Sequence, residues 1–221
     1  KWHMGGGRDI KEVPYISEYG FNESVTQFEG IGERYLPIFE TFNFRDGKRD
    51  LERQSARLGK GEVHWEKRDK ITEVFVDRTI KAIETAQKEN KAFYINLWPD
   101  DIHTPLEPPE DLRGDLSVQA RFLGVMQEMD RQMGRLFDYI RNNEALYNNT
   151  LIIFTSDNGG HSVIWKEFDT NGPLRGYKRD LSEGGIRVPF IARWPGKVPA
   201  GENSDEIIAF QDMMPTFAEL A

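Results

Sequence analysis

The sequence predicts an α/β protein built on a mostly parallel sheet flanked by helices. Three observations carry this expectation. The apolar runs Ala92–Trp98, Leu151–Thr155 and Ile186–Trp194 have the length and β-branched or aromatic content of buried strands. Two longer stretches, one before each of the first two runs, place apolar residues at three- and four-residue steps, the period of an amphipathic helix. The first two runs also stop abruptly in polar, turn-rich segments, which is where open α/β sheets bind ligands.

Each element has its own warrant. Between Arg68 and Asn90, residues Ile71, Val74, Phe75, Ile80, Ile83 and Ala86 mark one apolar helix face. Ala92–Trp98 follows as a strand, closed by Pro99-Asp100-Asp101-Ile102-His103-Thr104-Pro105. From Ser117 to Asn142 the helical period returns with Ala120, Leu123, Met126, Met129, Met133, Leu136, Phe137 and Ile140. The methionines read as core filling, and Glu128 and Asp130 read as surface charges. Leu151–Thr155 ends in Ser156-Asp157-Asn158-Gly159-Gly160, and Glu183-Gly184-Gly185 forms a further bend. In Ile186–Trp194, Pro189 argues for an edge or bulged position. Residues 8–66 lack periodicity and carry scattered aromatics among charges, as expected of a long irregular excursion on the surface of a core. His64 in this region has no polar companion at ligand spacing and reads as structural or exposed.

Composition narrows the function. Charged residues make up 30% and hydrophobic residues 38%, and no apolar run approaches the length of a membrane span. A formal net charge of −8 argues against a general nucleic-acid binder. The absence of cysteine excludes disulfides, thiolate metal ligands and a cysteine nucleophile within these residues. The chain opens at Lys1 without an initiator methionine and stops at Ala221 inside a helical pattern, so it is expected to be part of a larger protein.

The chemistry-bearing residues gather at the strand ends. Asp157 and Asn158 offer the hard oxygen donors that Ca²⁺ or Mg²⁺ prefers, and taken alone they fit an ordinary polar turn equally well. His103 stands at the corresponding end of the preceding strand, a position open to a structural or a functional role. Lys1 and His3 in KWHMGGG would share one face of a strand, or belong to a frayed terminus. Arg175, Lys178, Arg179 and Arg187 add positive charge near the acidic turn, while Trp98, Asp100, Asp101, His161 and Trp165 are candidates to line a pocket. If Lys1, His3, His103, Asp157, Asn158 and Lys178 converge, the set suits hydrolysis of a sulfate or phosphate ester. Cations would stabilise the oxyanion, and an imidazole would protonate the departing oxygen.

Four segments, KWHMG, INLWPDDIHTPLEPP, TLIIFTSDNGGH and LRGYKRDLSEGGIRVPFIARWPG, occur in an order that resembles the sulfatase family of the alkaline-phosphatase-like superfamily. The resemblance covers residues 91–221 and the first five, and it implies an incomplete alkaline-phosphatase-like fold. Residues 1–221 would form part of a sulfatase catalytic domain, with 8–66 as the excursion and 68–221 as the α/β portion. It also implies a formylglycine nucleophile and a bound Ca²⁺, with Mg²⁺ as the alternative. Asp157 and Asn158 resemble two metal ligands, Lys178 the lysine at the sulfate, and His103 the histidine at the leaving-group oxygen. Lys1 and His3 resemble the lysine and histidine that support nucleophile and sulfate. The C/S-x-P-x-R motif that yields formylglycine occurs nowhere in these residues, so the chain alone is expected to be inactive. The implied substrate is a sulfated carbohydrate or aryl sulfate, and the implied compartment is periplasmic, secreted or lysosomal, with no targeting signal in the chain. Two alternatives stand beside this reading: a phosphodiesterase or phosphonate monoester hydrolase of the same superfamily, and a non-catalytic module that binds sulfated glycans.

Overall fold

The computed structural model describes residues 13–27, 30–42, 49–57, 59–162 and 168–221. Lys1, His3 and Trp165 lie outside them. The two long helices form as the periodicity predicts: α1 spans Ile71–Lys88 and α2 spans Val118–Arg141. Ser117 caps α2, its hydroxyl accepting from the Ala120 N–H at 3.1 Å and satisfying one of the helix's orphan donors. A short helix, α3, Glu144–Asn149, follows and leads into the strand at Ile152.

These three helices bury one continuous core of Val76, Ile83, Met133, Leu136, Ile140 and Leu146. The chain 91–98 lies on this core in extended form, with Phe93, Ile95 and Leu97 turned to the helices and Tyr94, Asn96 and Trp98 to the other side. The alternation is that of a strand. No ladder is formed by 91–98 among the described residues, so the expected strand is present in direction and side-chain order but not in hydrogen bonding. Tyr94 meets Phe217 at 5.4 Å between ring centroids, bringing the C-terminal helix onto the side away from α1 and α2.

The expected α/β architecture is present, helices flanking a mixed sheet, and the ladder between the last two strands runs antiparallel. We number the strands in chain order: β1 Val25–Thr26, β2 Glu33–Phe42, β3 Arg49–Arg53, β4 Val63–Lys67, β5 Ile152–Thr155 and β6 Phe190–Arg193. β5 and β6 pair antiparallel, Ile152 facing Arg193 and Thr155 facing Phe190. The expected third strand is thus shortened to the residues after Pro189, which lacks a ladder donor. Ile186, its expected first residue, instead ends a one-turn helix, α4, Glu183–Ile186, and residues 187–189 form no regular element.

Residues 8–66, which read as irregular, contain a small mixed sheet. β2 is its centre, parallel to β1 and β4 and antiparallel to β3. Leu36 and Pro37 are fully buried on opposite faces of β2, and the buried Arg34 stands on the Leu36 face, at a position a simple alternation would make apolar. That polar interruption hides the strand from a periodicity reading. The sheet joins the rest of the protein through ion pairs, Glu33 with Arg78 of α1 and Glu40 with Arg113 at 2.6 Å. His64 has companions after all: Nε2 lies 3.3 Å from Glu33 and 3.5 Å from Glu62, and the ring stacks on Tyr35. The last helix, α5, spans Met213–Leu220.

Candidate active site

The turn after β5 is held by backbone packed on backbone. The Gly159 N–H donates to the Gly185 carbonyl at 3.0 Å, and a methyl group built on Gly159 would overlap the Gly184 carbonyl oxygen. Glycine is therefore required at 159 by close approach, not by an unusual φ. The Lys178 N–H donates to the Gly160 carbonyl at 2.9 Å, and the Gly184 N–H to that of Arg175 at 2.8 Å. Asn171 completes the staple, its Oδ1 accepting from the Gly160 N–H and its Nδ2 donating to the Gly176 carbonyl, both at 2.8 Å. The segment carrying Lys178 and the turn carrying Asp157 and Asn158 are thus one unit. Asn171 was not singled out by sequence; the only hint is the Thr170-Asn171-Gly172-Pro173 turn composition.

At this turn Asp157 is exposed and Asn158 half-buried. The Asn158 Nδ2 donates to the Gly159 carbonyl at 2.9 Å, which leaves its Oδ1 as the atom suited to a cation. Among the described residues no group of three or more acidic or imidazole side chains comes together to hold a metal. The pair therefore fits a calcium ion in kind, as hard oxygen donors, but provides two of the about six to eight oxygens such an ion takes.

His103 stands exposed on the turn after residues 91–98. Its Nδ1 lies 2.8 Å from the Thr104 carbonyl oxygen. A carbonyl only accepts, so Nδ1 carries a proton and Nε2 is the nitrogen available to a ligand. The turn is anchored from below by α1 and the residues just before it. Arg68 pairs with the Asp100 carboxylate at 3.0 Å, and the Thr72 hydroxyl donates to Asp101 Oδ2 at 2.5 Å. Asp101 is only 7% exposed, and burial pushes its carboxyl above the ordinary range against the opposing pull of Thr72. Asp101, a candidate pocket-lining residue by sequence, instead holds the turn onto α1.

The two halves of the site share an electric field. Burial holds the half-buried His161 imidazole below its ordinary range, and the positive charges of Lys178, Arg179 and His103 lower it further. His161, noted by sequence only as a pocket candidate, therefore belongs to the same cationic neighbourhood as His103 and Lys178. An aromatic contact also ties the two halves, Phe168 after the β5 turn meeting Phe122 of α2 at 4.9 Å. Leu106, just beyond His103, packs in that same small cluster. A surface of this kind, cations beside a pair of oxygen donors, suits an oxyanion held next to a divalent ion.

Comparison with known proteins gives this arrangement its class. The family model described as Sulfatase matches residues 9–221. The chain belongs to the sulfatase family. It is 26% identical over 225 residues to the N-acetylgalactosamine-6-sulfatase of Rattus norvegicus, covering 100% of this chain and 41% of that protein. It is 36% identical over 149 residues to the steryl-sulfatase of Homo sapiens, covering 65% of this chain and 25% of that protein. Among solved structures, that of Ps i-CgsB aligns with a TM-score of 0.62 and 30% identity over 77% of this chain and 37% of the other. The chain thus spans less than half the length of the curated relatives it matches.

Proposed function

We propose that the protein to which these residues belong hydrolyses a sulfate ester, and that His103, Lys178, Asp157 and Asn158 form this chain's share of the active site. The observation that carries the reading is the family match across 9–221, joined to the backbone bond that fixes the Lys178 segment against the Asp157–Asn158 turn. Lys178 supplies positive charge to the sulfuryl oxygens, whose negative charge is spread and best met by a fixed cation. His103, its Nδ1–H committed to Thr104, offers Nε2 to the ester oxygen and in its protonated form donates to the departing alcohol. His161, whose imidazole its surroundings hold below the ordinary range, would stand beside them with one ring nitrogen to donate and one to accept. Lys1 and His3 would join this set on the resemblance alone. Asp157 and the Asn158 Oδ1 would hold part of a Ca²⁺ ion. A bound calcium would polarise the ester oxygens, and a formylglycine would supply the nucleophile. Localisation outside the cytoplasm or in the lysosome belongs to the same reading; no helix among the described residues is long and apolar enough to cross a membrane.

The test uses the full-length protein with 4-nitrophenyl sulfate and bis(4-nitrophenyl) phosphate side by side. Sulfate release is expected to dominate, and preference for the phosphodiester would overturn the reading. His103→Ala and Lys178→Ala are each expected to lower turnover of the sulfate by about 10²- to 10⁴-fold, the worth of a positioned acid or charge stabiliser. The 221 residues by themselves are expected to show no turnover.

A further inference from the structure

We propose that Arg68 is a positioning residue for His103. Its guanidinium lies beneath the turn and grips the carbonyls at both of its ends, so that the direction of the imidazole is set from α1's side. The proposal rests on the reading of His103 as the proton donor to the leaving group.

The geometry is specific. Arg68 stands in the single 3-10 turn Arg68–Lys70 that leads into α1 and is only 5% exposed. Its Nη2 donates to the Asp100 carbonyl at 2.5 Å and to the His103 carbonyl at 3.1 Å. The His103 N–H closes the same turn from within, donating to the Asp100 carbonyl at 3.1 Å. The four residues 100–103 are thus spanned above by their own hydrogen bond and below by a buried cation. The imidazole's bond goes to the next carbonyl along, Thr104, so its orientation follows the turn's. Thr72, four residues after Arg68 on the same face, fixes Asp101 in parallel.

A buried cation is a poor device for stability alone, because desolvation consumes most of what its pairing returns. It is a good device for specifying one conformation: a single buried nitrogen, Nη2, meets both ends of the turn, and the rigid guanidinium fixes that nitrogen's direction where a freely rotating ammonium does not. An exposed turn with no ladder beside it is the kind of segment that needs such a device if its histidine is to point one way.

The experiment places Arg68→Lys, Arg68→Ala and Lys70→Ala in the full-length protein. It follows the His103 imidazole Cε1–H resonance, assigned with His103→Gln, together with steady-state hydrolysis of 4-nitrophenyl sulfate. Both Arg68 variants are expected to shift or broaden the His103 resonance. Each should also lower kcat by at least about tenfold with KM within about twofold, as displacement of a catalytic group does. Added guanidinium should restore part of the Arg68→Ala loss. Lys70→Ala, in the same 3-10 turn but paired with Glu73 and not with the 100–103 turn, is expected to leave the resonance close to that of the unaltered protein. An unchanged His103 resonance in Arg68→Lys, or an equal change in Lys70→Ala, overturns the proposal. Should Arg68→Ala fail to fold, Arg68→Lys decides. If His103→Ala leaves turnover intact while Arg68→Lys still moves the resonance, the proton-donor reading falls and Arg68's hold on the turn stands.

Discussion

Asp100 and Asp101 are adjacent in sequence and part company in structure. Asp100 pairs with Arg68 at the edge of the turn, whereas Asp101 is buried against Thr72. Composition cannot separate two neighbouring acids, because burial depends on which way the turn lies on α1. Glu128 makes the same point: it read as a surface charge and is 1% exposed, bound by Arg131 and by Gln132 at 2.7 Å. Asp101 yields a prediction with a definite sign. Its folded carboxyl binds a proton more readily than the ordinary value of 3.8, so the folded state carries the extra proton in that window. Stability is therefore lost as pH rises from about 4 through the folded value, and the penalty persists at neutral pH. Asp101→Asn, which still accepts from Thr72, is expected to raise the thermal midpoint at pH 7 and to lose that advantage by about pH 4; scanning calorimetry at both pH values checks it. At Gly159 the neighbouring carbonyl leaves no room for a methyl group. Gly159→Ala is expected to cost about 1–3 kcal/mol by overpacking, read from the denaturant midpoint.

Elements were legible where one face decides them. α1 and α2 follow their apolar periods to within a few residues of the expected ends, because each buries a single stripe against the other. Leu136 sits in that stripe with Val76, Ile83 and Met133, and Leu136→Ala is expected to destabilise by about 2–5 kcal/mol in a urea titration. Strands were legible in direction but not in pairing. Residues 91–98 and β5 have the right composition, yet the hydrogen bonds that define a sheet come from partners distant in sequence. The antiparallel hand of β5 and β6 arises from the long return through 168–187, a connection whose course no local pattern reveals. β2 is not legible in the sequence, since burial at both Leu36 and Pro37 and at the charged Arg34 breaks the alternation, while its pairing comes from three separate strands.

At the scale of the molecule, a net charge of −8 coexists with the two cations Lys178 and Arg179 beside His161. The overall sign keeps polyanions at a distance, while the local one favours a small anion at this surface. Of the proposed site, the turn at Asp157–Asn158 was within reach of the sequence, because it runs directly into a glycine pair that permits close backbone contact. The roles of Asn171, His161 and Arg68 were not, for each depends on a contact across an interval no motif spans: 11 residues from Gly160 to Asn171 and 35 from Arg68 to His103.

The glycine-on-glycine contact beside β5 also has a kinetic face. The amides of Gly159 and Lys178 lie in turns and that of Gly184 in the first turn of α4, places where exchange with solvent water is ordinarily fast. Here each is bonded across to a different strip of chain, at Gly185, Gly160 and Arg175 respectively. None of the three strips can lift without breaking a bond to another, so the three amides are expected to exchange as one cooperative unit, with a common opening free energy. Deuterium exchange followed by NMR would show matching rates at the three positions. In Gly159→Ala all three should accelerate together while Phe154 in β5 does not.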